Sequence, residues 1–336
     1  MKFALVHSVA PLAALAFVAL TANVVDVPTF APQEGLVLDR TLTMSGTRDL
    51  RAESMEVGDE RQTNPDPFTH IEIAWKHVVV DEFVKCTEER VSKLKRTYET
   101  LEKSRTETRK DQAGAEKSNK VVETCALEGK SVLFVWDAEK NEYAKSFAGE
   151  GDEELPADIE ADMDYREFLP EKDAEIGAKW ERDFADVKLY LLRPGGDLPF
   201  KSEVPPRPLD LRMRAAVWDA TSGKVAFTWM PDTELDGKKL AKIHFKGTNK
   251  VEAVEDAKAD EKGPSRLAVS DDQTFEGDLL WDTVANRAHS LEWSAKGTMV
   301  LKVSLPAKSP GGEDATVVQA FTFDTAYDYT ASFEVQ

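Results

Sequence analysis

Near the C-terminus the chain alternates with a period of two. Phe321, Phe323, Tyr327, Tyr329, Ala331, Phe333 and Val335 fall on odd positions, with Thr322, Asp324, Asp328, Thr330, Ser332 and Glu334 between them. Successive strand residues face opposite sides, so this pattern defines one long strand with an apolar face and a wet face. Strands of this kind belong to antiparallel sheets with one solvated face. The same alternation marks Met299, Leu301, Val303 and Leu305, then Val225, Phe227 and Trp229, then Leu211, Met213, Ala215 and Val217. His289, Leu291 and Trp293 make a shorter fifth case. The expected fold is mainly β: one or two curved antiparallel sheets, half-barrel or sandwich-like, with one or two short helices.

Three Trp-Asp pairs punctuate these runs. Trp136-Asp137 precedes AEKN, Trp218-Asp219 precedes ATSG, and Trp281-Asp282 precedes TVAN. Asp opens a turn by accepting from the backbone ahead of it, and Gly or Asn four residues on tolerates the left-handed conformation. All three read as hairpin connections. Their spacings are unequal and far exceed the roughly 40–45 residues of a propeller blade.

Helix is a minority expectation. Val91, Leu94, Tyr98 and Leu101 give a helical stripe over Glu88–Lys103, although the Thr content there also allows a strand hairpin turning at Thr87–Arg90. A second helix is expected after Pro156, in PADIEADMDYREFL, ending before Pro170. Arg105–Lys120 reads as a mobile polar loop and Val251–Ser265 as a solvated excursion between strands. The stretch RPGGDLPFKSEVPPRP (Arg193–Pro208) stops regular structure. The expected organisation is a leader (1–22), an N-terminal linker (23–35), a β-rich half (36–193), a Pro/Gly-rich linker (194–208) and a second β-rich half (209–336).

The leader assignment rests on MKFALVHSVAPLAALAFVALTA. Lys2 precedes an apolar run from Ala10 to Leu20, and small residues end at Ala22. This is the layout of a secretory signal peptide, and the run is shorter than the roughly 20 residues a membrane-spanning helix needs. The expected location is therefore periplasmic or extracellular, with a mature start near Asn23. No transmembrane helix is expected once the leader is removed. The formal net charge of −19 becomes one unit more negative when Lys2 leaves with the leader. Such an excess repels phosphate backbones and anionic lipid headgroups, so no nucleic-acid partner is expected.

Two cysteines, Cys86 and Cys125, remain in the mature chain. An even pair in an oxidising compartment predicts one disulfide, closing a loop of about 40 residues. Too few Cys and too scattered His leave no zinc site. His70, His77, His244 and His289 show no metalloprotease spacing, and no Gly-x-Ser-x-Gly elbow is present. Asp158, Glu160, Asp162 and Asp164 alternate like calcium ligands, but Met163 and Leu169 stand where a calcium loop needs Gly and Glu. Gly195-Gly196 and Gly311-Gly312 lack the lysine or helix of a phosphate loop. No catalytic residue, cofactor or metal is expected.

Three stretches carry a resemblance: LEGKSVLFVWDAEKNEYAKSF (Leu127–Phe147), DMDYREFLPEKDAEIGAKWERD (Asp162–Asp183) and GDLLWDTVANRAHSLEWSAKGTMVLKVS (Gly277–Ser304). They resemble a loosely defined group of uncharacterised secreted bacterial proteins. In that group a Leu-Pro segment leads to Gly-x-x-Trp, here Leu169-Pro170 and Gly177–Trp180, and a late Trp-Asp hairpin precedes the final strands. The resemblance implies an exported β protein and favours a hairpin over Val84–Leu101; it implies no activity. The expected role is a non-catalytic envelope or secreted protein that binds an amphiphilic ligand or a protein partner. The alternatives are a structural or surface-interaction protein without a pocket, a hydrolase, and an outer-membrane barrel, whose lipid-facing alternation the charged middle of the chain lacks.

Overall fold

The structure, a computed structural model, describes residues 26–58, 60–64, 67–110, 114–151, 154–161, 163–201, 207–258, 261–308 and 314–336. The leader and its cleavage point lie outside these residues, as do Asp162 and the Gly311-Gly312 pair. The first half supplies β1 (Val37–Val57), β2 (Glu60–Asn64), β3 (Thr69–Cys86), β4 (Val91–Lys110), β5 (Glu116–Cys125), β6 (Ser131–Asp137) and β7 (Glu142–Phe147). The middle supplies β8 (Lys179–Asp183), α1 (Phe184–Leu192), β9 (Phe200–Lys201) and α2 (Pro208–Ala220). The rest is β10 (Ser222–Leu235), β11 (Lys238–Asp256), β12 (Arg266–Asp282), β13 (Arg287–Lys308) and β14 (Asp314–Val335).

These strands make one large antiparallel sheet in the order β7-β6-β4-β3-β1-β14-β13-β12-β11-β10-β8, which does not close into a barrel. Because β1 pairs along β14 from Leu38↔Val335 to Val57↔Val317, both sides of the Pro/Gly-rich segment share this sheet. The C-terminal alternation holds: Phe323, Tyr329, Ala331 and Phe333 are buried, and Asp324, Asp328, Thr330 and Ser332 are exposed. Met299–Leu305 and His289–Trp293, expected as separate strands, are two parts of β13.

The sheet curls around the segment between β7 and β9. Tyr165 packs its ring on Phe333 of β14 and Tyr190 of α1, and Phe168 packs on Phe227 of β10 and Phe245 of β11. Glycines permit close approach where strands bend. A Cβ on Gly277 would overlap the Glu292 carbonyl and the Trp293 Cβ of the paired strand, and one on Gly46 would overlap the Tyr327 ring. An aromatic laid over a strand glycine is a recognised device for building curved sheets. Gly277→Ala, whose neighbours include backbone, should lower stability by about 1–3 kcal/mol. A lower urea midpoint at unchanged slope would show it.

Several expectations are corrected. Glu88–Lys103 is strand: Thr87 and Arg90 close a tight turn between β3 and β4, Thr87 N–H donating to the Arg90 carbonyl at 2.8 Å. Its helical spacing comes from extra residues in β4, since Cys86↔Val91 is followed by Lys85↔Lys93, and Val79↔Tyr98 by Val78↔Thr100. Each insertion shifts the inward parity, so Val91, Leu94, Tyr98 and Leu101 are all buried on a strand. Arg105–Lys120 is no loop but largely the β4–β5 hairpin.

The reverse holds for Leu211–Val217, which lies in α2. Pro208 opens that helix, and Leu209 and Met213, four apart, bury it against Val251, Ala253 and Leu267. The excursion expected from Val251 therefore begins only after Asp256. Trp218-Asp219 ends α2 instead of turning a hairpin. The other two Trp-Asp pairs do turn hairpins, with Asn141 and Asn286 at positive φ. Asp137 and Asp282 accept from the backbone two and three residues ahead.

PADIEADMDYREFL forms turns and a single 3-10 turn at Arg166–Phe168. Its carbonyls are taken by the sheet: Arg96 donates to Glu160 O at 2.8 Å and Ala161 O at 3.0 Å, and Arg40 donates to Met163 O. The linker expected over 23–35 is docked in part, with Trp281 Nε1 donating to Thr29 O at 3.2 Å.

The predicted Cys86–Cys125 disulfide is also corrected: both thiols are free. Cys86 pairs with Val91 at one end of β4, whereas β5 reaches β4 at Lys103↔Glu123. At about 3.4 Å per residue the two cysteines are separated by roughly 30 Å of strand, far beyond the roughly 4.4–6.8 Å that a bridge spans.

Candidate ligand chamber

The interior of the curl divides into a packed end and an open end. At the packed end Asp81, on β3, is fully buried between two arginines. Arg96 on β4 grips it in a fork, Nε to Oδ1 at 2.7 Å and Nη2 to Oδ2 at 2.9 Å, and Arg40 Nε on β1 lies 2.8 Å from Oδ2. Burial alone would raise the Asp81 carboxyl, but the two guanidiniums hold it below the usual range. Their remaining donors hold the Glu160, Ala161 and Met163 carbonyls, so this triad ties the interior segment to the sheet. Above it Tyr165 and Tyr329 share a hydroxyl hydrogen bond of 3.0 Å, and burial pushes the Tyr165 phenol up to about 12.

The open end begins where inward residues turn polar. Following the registers across the sheet, Gln273, Gly297, Thr325, Arg48, Ile71 and Glu107 stand side by side on β12, β13, β14, β1, β3 and β4. The next inward row holds Asp271, Met299, Phe323 and Leu50, and the one beyond it Val269, Leu301, Phe321 and Glu53. Leu50, Glu53, Met299, Leu301, Phe321 and Phe323 of these upper rows line a chamber of about 870 Å³.

Its walls differ. Leu50, Met299, Leu301, Phe321 and Phe323 make an apolar wall on β1, β13 and β14. Facing it, β4 turns Arg105, Glu107, Arg109 and Lys110 toward the same space. Arg105 donates to Glu107 Oε2 at 2.8 Å, Arg109 Nε donates to Glu107 Oε1, and the Lys110 ammonium sits 4.4 Å from the Phe68 ring centre. Arg48, at the base, donates to the Tyr327 hydroxyl at 3.0 Å. Burial pushes the neighbouring Asp271 carboxyl up to about 6 against the pull of Arg48. Four cations and two carboxylates, Glu53 and Glu107, thus line the chamber of a strongly acidic protein.

A separate recess of about 160 Å³ lies beside β9. There His77 stacks between Trp75, ring centres 4.4 Å apart, and Phe200, at 5.8 Å. Burial, with Lys103 adding, lowers the His77 imidazole to about 3.

The residues singled out in the sequence do not converge. Cys86 lies at the β3–β4 turn and Cys125 is buried at the end of β5, both outside the chamber lining. His70 pairs with Asp49 at 2.6 Å and His244 with Asp278 at 2.9 Å. Of the acidic alternation, Glu160 faces Lys145 and Asp164 pairs with Arg166. Among the described residues no three His, Cys, Asp or Glu side chains are placed to hold a metal. The chamber's charged wall has no apolar alternation to mark it in the sequence: Arg105, Glu107 and Arg109 alternate with Thr106 and Thr108.

No known protein family matches the chain, and no curated protein does either. Among solved structures, an outer membrane channel from Pseudomonas putida F1 aligns at 8% identity over 91% of this chain and 98% of its own, with a TM-score of 0.20. OprB of Pseudomonas putida aligns at 7% identity over 89% and 94%, with a TM-score of 0.17. Scores of this size do not mark a shared fold. No helix among the described residues is long and apolar enough to cross a membrane.

Proposed function

We propose that this is an exported, non-catalytic protein that holds an amphiphile in the open end of its curled sheet. The observation that carries the reading is the chamber itself, an apolar wall facing a charged wall. Its volume of about 870 Å³ falls within the roughly 300–1,000 Å³ of pockets that take small molecules. The leader-like run Ala10–Leu20 supports work in the envelope or beyond it. The outward positions of the central strands support a sheet surrounded by water: Thr41, Thr43, Ser45 and Asp49 on β1, Lys296 and Lys302 on β13, and Asp324, Asp328 and Glu334 on β14. A sheet facing lipid carries the opposite polarity.

The test is titration with uncharged monoolein, followed by native mass spectrometry. Saturable uptake is expected in the wild-type protein. The paired residues Leu301 and Phe321 are half-buried, so Leu301→Asp with Phe321→Asp should preserve the fold, checked by thermal melting. Burying two carboxylates against an acyl chain should weaken uptake at least about tenfold. If the wild-type protein takes up no monoolein, the reading fails, and a structural or surface-interaction role gains ground.

A further inference from the structure

The interior of a curled sheet is ordinarily apolar, and most of this one is. On β4 the inward side instead carries Lys103, Arg105, Glu107 and Arg109 in succession, and Lys110 follows at the chamber. Lys103 is paired with Glu123 of β5 at 2.7 Å, but pairing does not consume the charge farther along the strand. Arg105 and Arg109 share the single carboxylate of Glu107, whose side chain is 18% exposed while theirs are 50% and 66% exposed. One anion held between two cations leaves a net positive wall with donors open to the chamber. Glu53, the other carboxylate of the lining, accepts from Asn64 at 2.9 Å.

Across from this wall stand Leu301, Phe321 and Phe323, an apolar surface bordered by Gln319 and Glu53. A molecule lying between the two must be apolar at one end and acceptor-rich at the other. The guanidinium is the side chain best matched to carboxylate and phosphate oxygens, which it meets with paired donors. An uncharged hydroxyl headgroup would meet the same donors with weaker bonds, and an ammonium headgroup would be repelled.

Resting on the reading of the chamber as an amphiphile site, we propose that it selects anionic amphiphiles, whose carboxylate or phosphate headgroup is held by Arg105 and Arg109 while the chain lies on β13 and β14. In an acidic protein this wall would also draw such a ligand toward the chamber.

The experiment compares three probes of equal chain length, oleate, monoolein and oleylamine, with acetate and inorganic phosphate as competitors. Oleate is expected to bind about tenfold or more tightly than monoolein, the difference charge-assisted hydrogen bonds typically make, and oleylamine more weakly than either. Neither acetate nor phosphate should displace oleate at millimolar levels, which separates a lipid headgroup from a free anion. Arg105→Gln with Arg109→Gln, both exposed and judged folded by thermal melting, should erase the preference for oleate and leave monoolein within about twofold. Equal binding of oleate and monoolein would overturn the inference, as would a variant that loses both alike. Displacement of oleate by phosphate or acetate would overturn it too. Absence of all binding would instead overturn the chamber reading beneath it.

Discussion

Asp81→Asn should cost the fold about 3–5 kcal/mol, because it strands two buried guanidiniums around a neutral side chain. Asp81 and Arg96 are both 0% exposed and Arg40 is 4% exposed, so neither cation can recover its loss by turning to water. The expected readout is a large fall in the urea midpoint with little change in slope. Replacing all three residues by apolar ones is often harmless for a buried ion cluster, but here it should not restore stability. The arginines also serve the carbonyls of Glu160, Ala161 and Met163, and those acceptors would lose their partners. A stable triple variant would show that the cluster does not hold the interior segment.

A second large effect should appear on acidification. His77 titrates near 3 in the fold, against about 6.5 in an unfolded chain. Its folded value is depressed, so the fold favours the neutral ring. That preference stabilises the protein fully above about pH 6.5 and is lost as pH falls toward 3. The linkage amounts to about 4–5 kcal/mol over that window. His77→Phe keeps a ring between Trp75 and Phe200 and removes the proton site. Its stability should decline less steeply below pH 6.5 than that of the wild type, measured as urea midpoints at successive pH values. Parallel declines would show that protonated His77 finds relief by local opening.

The sequence disclosed the strands wherever one face is apolar, and lost them where the signal took another form. β14 and β10 are plain, because large apolar residues recur at every second position, Phe, Tyr and Ala between Thr, Asp and Ser in β14 and Val225, Phe227 and Trp229 in β10. β4 is not: Ser92 and Glu99 are inserted opposite β3, and two such shifts turn a period of two into spacings of three and four. α2 failed in the other direction, since Leu211 to Val217 alternate by accident, and the helical set Leu209, Met213, Ala216 and Val217 had equal claim. The segment after Pro156 has helical propensity, overridden by Arg40 and Arg96 from strands far away in the chain. No local reading contains that competition. The residues of the chamber are not legible in the sequence, because the wall on β4 consists of charges that on most strands would face solvent.

The seam between β1 and β14 has a bearing on how this chain reaches its fold. Nearly every residue of β1 waits for a partner almost the whole length of the chain away, from Leu38↔Val335 onward. Contacts of such high sequence separation slow folding, since the entropy of joining the ends is lost before the contacts form. Until β14 arrives, β1 presents a long row of unpaired backbone groups, the kind of template on which chains aggregate. A protein that crosses a membrane as an extended thread would carry that open edge through the whole of its passage. For the export proposed above, yield should therefore depend on holding chaperones at the far side.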